Sequence, residues 1–274
     1  MTPDEGTAVL FSGATLAGYA LSGIVSLLLP AAAFLWLRYY CAARIYPVIA
    51  GIIVYFAAVQ MSNLFGNIIG FSASFAQRTV LAAELVCYFE ECGRWLAMRW
   101  PVTDIRDTRS AICYGIGHAG LECWIRGAQQ LHIYHLGQQV SRGGIEQFFG
   151  SRTPEQIDLF TQQMQIYADH SLFLSLLTVL NSLTNFGFHI ALSLLICRKI
   201  QETNGQKRWL LCAVLLHTAL NGSVWLASFS GSEILKLYIG ILCGICVIIF
   251  VNRMIGIRDC FDEIRYRMAP EETA

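Results

Sequence analysis

The chain contains seven apolar segments, each long enough to cross a bilayer as a helix. A spanning helix needs about 20 mostly apolar residues. The segments cover residues 14–37, 47–70, 79–100, 109–127, 171–197, 208–229 and 233–252. Only 14% of the residues are charged, against about 25% in soluble domains. The sequence therefore predicts an all-α, polytopic membrane protein with about seven transmembrane helices in a single domain, residues 1–274.

The positions of the basic residues predict an orientation in the membrane. Lysine and arginine concentrate in the cytoplasmic loops of membrane proteins, and here most of them follow the first, third, fifth and seventh segments. This pattern predicts an N-terminus outside and a C-terminus in the cytoplasm. The first residues, MTPDEG, lack the basic region of a cleaved signal peptide, so the first segment is expected to remain as an anchor. A net charge of zero gives no indication of a nucleic-acid partner.

One long polar segment, residues 128–170, separates the fourth and fifth apolar segments and is expected on the extracytoplasmic side. Within it, TPEQIDLFTQQMQIY places Thr153 where an N-cap is needed, Pro154 at the first helical position and Glu155 in the first turn. These residues predict a short amphipathic helix. Such a helix could be an ordinary connection lying on the membrane surface, or it could cover an opening between the spanning helices.

Polar residues interrupt the third to sixth apolar segments at helical spacing. The third contains YFEECGRW, with Glu90, Glu91 and Arg94. In the next three, polar residues recur every four positions and so lie on one helix face: His118 and Glu122, Asn185 and His189, His217 and Asn221. Counted from the predicted cytoplasmic ends, the two glutamates and three histidines lie at a similar depth, about 13 Å. Since a charge at the bilayer centre costs about 2.5–3.5 kcal/mol, we expect a functional polar site between helices 3–6.

These residue types are suited to hydrolysis. A carboxylate beside a histidine can take a proton from water, and a histidine with an asparagine can stabilise an oxyanion. The same side chains could hold a zinc ion, which would generate hydroxide. The candidate zinc ligands are His118, Glu122, His189 and His217. The alternative is a proton- or cation-coupled transporter that uses the buried residues as a relay, although the paired halves typical of many transporters are not visible in the sequence.

Four short motifs, in this order, resemble those of the glutamate-type intramembrane proteases: E-E-x-x-R at 90–94, then GIGHAGLEC, NFGFH and HTALN. That superfamily includes the CAAX prenyl endopeptidases, the bacteriocin-immunity group and PrsW, and the chain is most similar to its YhfC group of membrane peptidases. The motifs span about residues 80–225. The resemblance implies an intramembrane endopeptidase of a prokaryotic plasma membrane, acting on a membrane protein or a lipidated peptide, with zinc as the one possible cofactor.

The resemblance also implies roles for individual residues. Glu90 or Glu91 would activate water together with a histidine, Arg94 would orient the carboxylates, and His217 with Asn221 would stabilise the oxyanion. The CAAX group has one more residue before its arginine and a different spacing before the second histidine, so the histidine that assists the base and the need for a metal stay open. Because adjacent residues lie about 100° apart around a helix, the two glutamates are expected to have different roles.

Overall fold

The structure is a computed structural model that describes residues 9–69, 75–99, 105, 107–148, 152–203 and 207–266. The N-terminal MTPDEG and the ends of two predicted segments, residues 70 and 100, lie outside the described residues. The described part is helical, with no strand, and includes one short 3-10 helix, Glu146–Phe148. Its α-helices are α1 (Gly13–Cys41), α2 (Tyr46–Ile69), α3 (Phe75–Arg99), α4 (Thr108–Gly143), α5 (Pro154–Ala168), α6 (Leu172–Thr203), α7 (Lys207–Ser228), α8 (Glu233–Ile255) and α9 (Ile257–Tyr266). The prediction of an all-α membrane protein is confirmed.

Within the described ranges, five helices are long and apolar enough to cross a membrane: α1, α2, α6, α7 and α8. Helices α3 and α4 are also long enough, with 25 and 36 residues. They are less apolar because α3 contains Glu90, Glu91 and Arg94, and α4 contains Glu122 and Arg126. That these two helices also cross the membrane stays a prediction.

The polar segment after residue 127 contains more helix than its composition suggested. Helix α4 continues to Gly143, because glutamine, leucine and isoleucine support a helix and no proline interrupts it. It ends before Gly144, whose φ of 74° is easily adopted by glycine. Helix α5 begins as predicted: Thr153 caps it, and the side chains of Thr153 and Gln156 each accept a hydrogen bond from the other's backbone N–H.

The chain forms two compact units, whose boundaries fall within α1, α4 and α6. The first consists of Met1–Leu28 and Trp124–Leu180. Its small core is formed by Val9, Phe11, Tyr19, Val140, Ile145 and Met164. The Tyr19 hydroxyl donates a hydrogen bond to the carbonyl oxygen of Tyr167 at 3.2 Å, and the Tyr19 ring stacks on His170 with 4.9 Å between centroids. The first unit is thus held by apolar packing and neutral hydrogen bonds.

The second unit consists of Leu29–Cys123 and Asn181–Ala274. Here α3 packs against both α2 and α7, and α8 packs against α7 and α9. Helix α4 lies very close to α2: a Cβ atom on Gly51 would overlap the carbonyl oxygen of Tyr114, and one on Gly117 would overlap that of Val48. Glycines that permit such close approach are common between membrane helices. The same two glycines lie beside His118, because Gly117 precedes it in the chain and Gly51 faces its backbone nitrogen.

Candidate active site

Helix α3 contributes two acids and a base to the interior of the second unit. Glu90, Glu91 and Arg94 are 3%, 0% and 0% exposed. The Nη2 atom of Arg94 lies 3.4 Å from Oε1 of Glu91, which is three residues before it on the same helix. The intrahelical ion pair is therefore formed by Glu91, and the two adjacent glutamates have different surroundings.

Each glutamate has a different histidine as its nearer partner. On α4, the Nε2 atom of His118 lies 2.9 Å from Oε2 of Glu90. On α7, the Nδ1 atom of His217 lies 2.8 Å from Oε1 of Glu91 and 3.8 Å from Oε2 of Glu90. Both histidines are buried. The sequence left open which glutamate faces the histidines, and the structure shows that both do, through different partners.

The third histidine, His189 on α6, lies between the other two. Its ring centroid is 4.8 Å from that of His118 and 5.2 Å from that of His217. Its Nδ1 atom is 3.1 Å from Nη2 of Arg94, and the other terminal nitrogen of Arg94 donates to the His189 carbonyl oxygen at 3.1 Å. Its Nε2 atom is 3.2 Å from Oε2 of Glu122. His189 thus connects the arginine of α3 to the glutamate of α4.

Seven of the eight predicted site residues form one continuous series of contacts shorter than 4 Å: Glu90, Glu91, Arg94, His118, Glu122, His189 and His217. The eighth, Asn221, donates from Nδ2 to the sulfur of Cys87 at 3.0 Å. Cys87 lies one helical turn before Glu91 on α3, so Asn221 borders the cluster. The polar site predicted between spanning helices 3–6 is formed in the structure by α3, α4, α6 and α7.

Several contacting residues were not among the predicted site residues. Asn185 donates to Oε2 of Glu122 at 2.7 Å; its spacing of four from His189 had placed it on the same helix face, without a role in the site. Phe188 packs its ring edge-on against His189 and His217. Tyr55 of α2 packs edge-on against His118 at 5.3 Å between centroids. No pattern in α2 indicates Tyr55, since the residues around it are apolar.

All residues of the cluster lie within a part of the chain that matches the model of a known protein family. The model of a family described as YhfC intramembrane metalloprotease matches residues 25–241, a range that contains every residue of the cluster. The chain belongs to the YhfC intramembrane metalloprotease family. It is 24% identical over 214 residues to a Bacillus subtilis (strain 168) protein named "Uncharacterized membrane protein YhfC", covering 74% of this chain and 81% of that protein. No solved structure matches the chain.

The YhfC family description implies a metal, and the cluster has suitable ligands for one. Two groups of three residues each bring one ligand atom per residue within 4.8 Å of the others: Glu90, His118 and His189, and Glu90, Glu91 and His217. Imidazole nitrogens and carboxylate oxygens are ligands of zinc. The cluster also contains the carboxylates of Glu90, Glu91 and Glu122, of which Glu91 pairs with the guanidinium of Arg94. Buried negative charge of this kind requires compensation, by protons or by a divalent cation.

Proposed function

We propose that this protein is an intramembrane endopeptidase that hydrolyses a peptide bond of a membrane protein or a lipidated peptide. The observation that carries the proposal is the buried carboxylate of Glu90, held 2.9 Å from His118 and 3.8 Å from His217. A carboxylate in such surroundings can take a proton from water as the water attacks a carbonyl carbon. The membership of the YhfC family supports the same reaction class.

Glu90 and Glu91 have different roles in this mechanism. Glu91 is held by Arg94 at 3.4 Å and by His217 at 2.8 Å, so its charge is compensated and its position is fixed. Glu90 is the base, because its contacts are with histidines, which can exchange protons with it. The Nε2–H of His118 donates to Glu90 and keeps its carboxylate oriented. Glu91 in turn orients His217 by accepting from Nδ1, which leaves Nε2 of His217 for the substrate.

The developing oxyanion needs hydrogen-bond donors. An asparagine amide has two N–H groups, and only one of those on Asn221 is needed for the contact with Cys87. The other can donate to the oxyanion. His217 can donate through Nε2 when both of its nitrogens carry protons, a form that the neighbouring carboxylate of Glu91 stabilises. Both residues lie on α7, four positions apart and therefore on one face.

Glu90 belongs to both possible metal-binding groups, so it would hold the ion whichever histidines join it. A zinc ion bound there would supply a more acidic water and polarise the carbonyl group of the substrate. Glu91 is itself a possible ligand in the group with His217; without the ion, or with the ion in the other group, it has the role of an outer carboxylate that orients His217. We also propose the topology expected from the sequence, with α3 and α4 crossing a prokaryotic plasma membrane, the N-terminus outside and the C-terminus in the cytoplasm.

The test compares cells that express the wild-type protein with cells that express Glu90→Gln, which keeps the shape of the side chain and removes the charge. Peptides and membrane proteins that accumulate uncleaved in the Glu90→Gln cells are identified by mass spectrometry. They are then incubated with purified protein in lipid bilayers. We expect Glu90→Gln and His118→Gln to reduce cleavage about 10²–10⁴-fold, the usual contribution of general-base catalysis.

Glu202→Gln is the matched control, because Glu202 is 42% exposed and pairs with Lys199 and Arg198 at the end of α6. It should cleave as the wild type does. Cleavage that persists in folded Glu90→Gln would contradict the proposal. Uptake of protons or cations into vesicles that depends on Glu90 or Glu122, without any cleavage, would support a transporter instead.

A further inference from the structure

His189 differs from the other two histidines in what its ring nitrogens contact. His118 and His217 each direct one nitrogen at a glutamate of α3. His189 directs Nδ1 at Nη2 of Arg94, 3.1 Å away, and Nε2 at Oε2 of Glu122, 3.2 Å away. Both of its nitrogens therefore have partners, one a donor and one a carboxylate.

The arginine contact determines where the proton of this imidazole lies. A guanidinium is always protonated in proteins and can only donate hydrogen bonds. The Nδ1 atom that faces Arg94 must therefore accept, and so it carries no proton. A neutral imidazole with a bare Nδ1 has its proton on Nε2, and that N–H donates to the carboxylate of Glu122. The tautomer of His189 follows from these two neighbours alone.

Arg94 cannot easily turn away from Nδ1. Its second terminal nitrogen donates to the carbonyl oxygen of His189 at 3.1 Å, and Glu91 lies 3.4 Å from Nη2. All three residues are at most 2% exposed, so water does not compete for these contacts. The guanidinium is thus held against both the ring and the backbone of His189.

Glu122 receives two donors from α6. Asn185 lies one helical turn from His189 on the same face, and its Nδ2 donates to the same oxygen, Oε2, at 2.7 Å. A carboxylate oxygen that accepts from both is held firmly as an ionised acceptor. The side chain of Glu122 is 16% exposed, which makes it the most accessible acid of the cluster.

We propose that His189 is a positioning residue, held by Arg94 in the Nε2–H tautomer so that it orients Glu122, and that it is neither a metal ligand nor the base. A metal ligand needs a free lone pair on a ring nitrogen. The lone pair of Nδ1 is used by Arg94, and Nε2 carries the proton. Within the proposed hydrolysis, His118 and His217 are then the histidines that can face the attacking water or a metal ion.

The tautomer can be measured without any assumption about function. Full-length protein labelled with ¹⁵N in histidine and arginine is placed in lipid nanodiscs, and its imidazole nitrogen resonances are recorded before and after addition of zinc chloride. His189 is recognised by through-space transfer from an arginine Nη–H to an unprotonated ring nitrogen, and independently by the signal that disappears in His189→Gln. We expect a bare Nδ1 and a protonated Nε2, both unchanged by zinc.

Protonation of Nδ1, or a shift of a His189 nitrogen to the position of a zinc-bound one, would overturn the proposal. This outcome is distinct from failure of the proposed function, because the spectrum requires no substrate. A protein that cleaves nothing could still show the expected tautomer, and an active protease could still show the other one.

Substitution provides a second test that separates positioning from direct participation. Glutamine has an acceptor and a donor joined through one carbon, as the two ring nitrogens are, so His189→Gln can accept from Arg94 and donate to Glu122. We expect it to retain cleavage to within about tenfold, the value of one hydrogen bond, and to bind zinc as the wild type does. His189→Leu, which can do neither, should lose far more activity. Folded His189→Gln that is as inactive as His118→Gln would contradict a positioning role.

Discussion

The two units of the chain bury polar side chains in different ways. In the first unit, Thr15 and Tyr19 donate to backbone carbonyl oxygens of Ala168 and Tyr167 at 3.4 and 3.2 Å. These carbonyls belong to the last turn of α5, where a helix offers few donors of its own; the Tyr167 oxygen also accepts from the backbone N–H of His170. In the second unit, Glu90, Glu91 and their neighbours contact other side chains, most of them ionisable. The first arrangement completes a helix end, and the second assembles groups that can exchange protons.

The two kinds of burial differ in the electrostatic cost that remains after folding. Neutral side chains that donate to backbone acceptors lower the cost of burial and require nothing further. The charged cluster retains a desolvation cost, because the ionisable side chains of Glu90, Glu91 and Arg94 are at most 3% exposed. A chain that only needed to fold could replace such a cluster with apolar residues at no loss of stability. Changes in the two units should therefore have effects of different kinds.

The largest effect on stability is expected from Arg94→Gln. This change leaves the Glu91 carboxylate buried without its cation and removes both contacts to His189. Removal of one partner of a buried ion pair costs about 3–5 kcal/mol. The free energy of unfolding in mixed micelles measures the effect, with Arg198→Gln as the matched control. Arg198 and its partner Glu202 are 40% and 42% exposed, so the control should lose about 0–1 kcal/mol. Equal losses of unfolding free energy in the two variants would mean that the buried pair of Arg94 and Glu91 stabilises the protein no more than an exposed pair does.

A smaller effect is expected from Gly117→Ala, which tests the close packing that positions His118. The new methyl group would overlap the backbone carbonyl of Val48, and overpacking of this kind costs about 1–3 kcal/mol. Gly222→Ala is the control, because the nearest atom to its methyl group is Oε1 of Glu84 at 3.8 Å, an ordinary contact. Alanine also favours a helix more than glycine does, so the control should be neutral or stabilising. We expect Gly117→Ala to reduce cleavage as well, since a shift of α4 displaces His118. An unchanged unfolding temperature would contradict the close packing of α4 against α2 at Gly117.

The smallest effect is expected from Tyr19→Phe in the first unit. It removes the hydroxyl that donates to Tyr167 and leaves the ring that stacks on His170. Loss of one such hydrogen bond costs about 1 kcal/mol, measurable by thermal unfolding, while cleavage should stay at the wild-type level. A loss of activity comparable to that of Glu90→Gln would show that the contrast between the two units does not hold.

The location of the candidate site could be predicted because two of its determinants are local. Spacing of four along α4, α6 and α7 places polar residues on one helix face, and counting from the segment ends places His118, His189 and His217 at one depth. The capping box at Thr153 was visible for the same reason, since all its atoms lie within one helical turn. The continuation of α4 to Gly143 was missed because polar helices and polar loops have similar compositions.

The pairing of residues could not be predicted in the same way. Arg94 can reach a glutamate three or four positions earlier on α3, so its spacing allows both Glu90 and Glu91. The choice of Glu91 depends on contacts with His189 and His217 from other helices. Tyr55 offers no periodic signal at all, and it reaches His118 only because α2 packs closely on α4.

Helical periodicity and hydropathy are properties of short stretches of sequence. The sequence alone therefore predicted a helical membrane protein whose acids and histidines face its interior. The rotation of each helix about its axis is decided by its neighbours, through contacts such as those at Gly51 and Gly117. Because of that rotation, Glu90 contacts His118, and Glu91 contacts Arg94 and His217. His189 lies between Arg94 and Glu122 for the same reason. Tertiary packing therefore gave two adjacent glutamates different partners, although they lie only about 100° apart around a single helix.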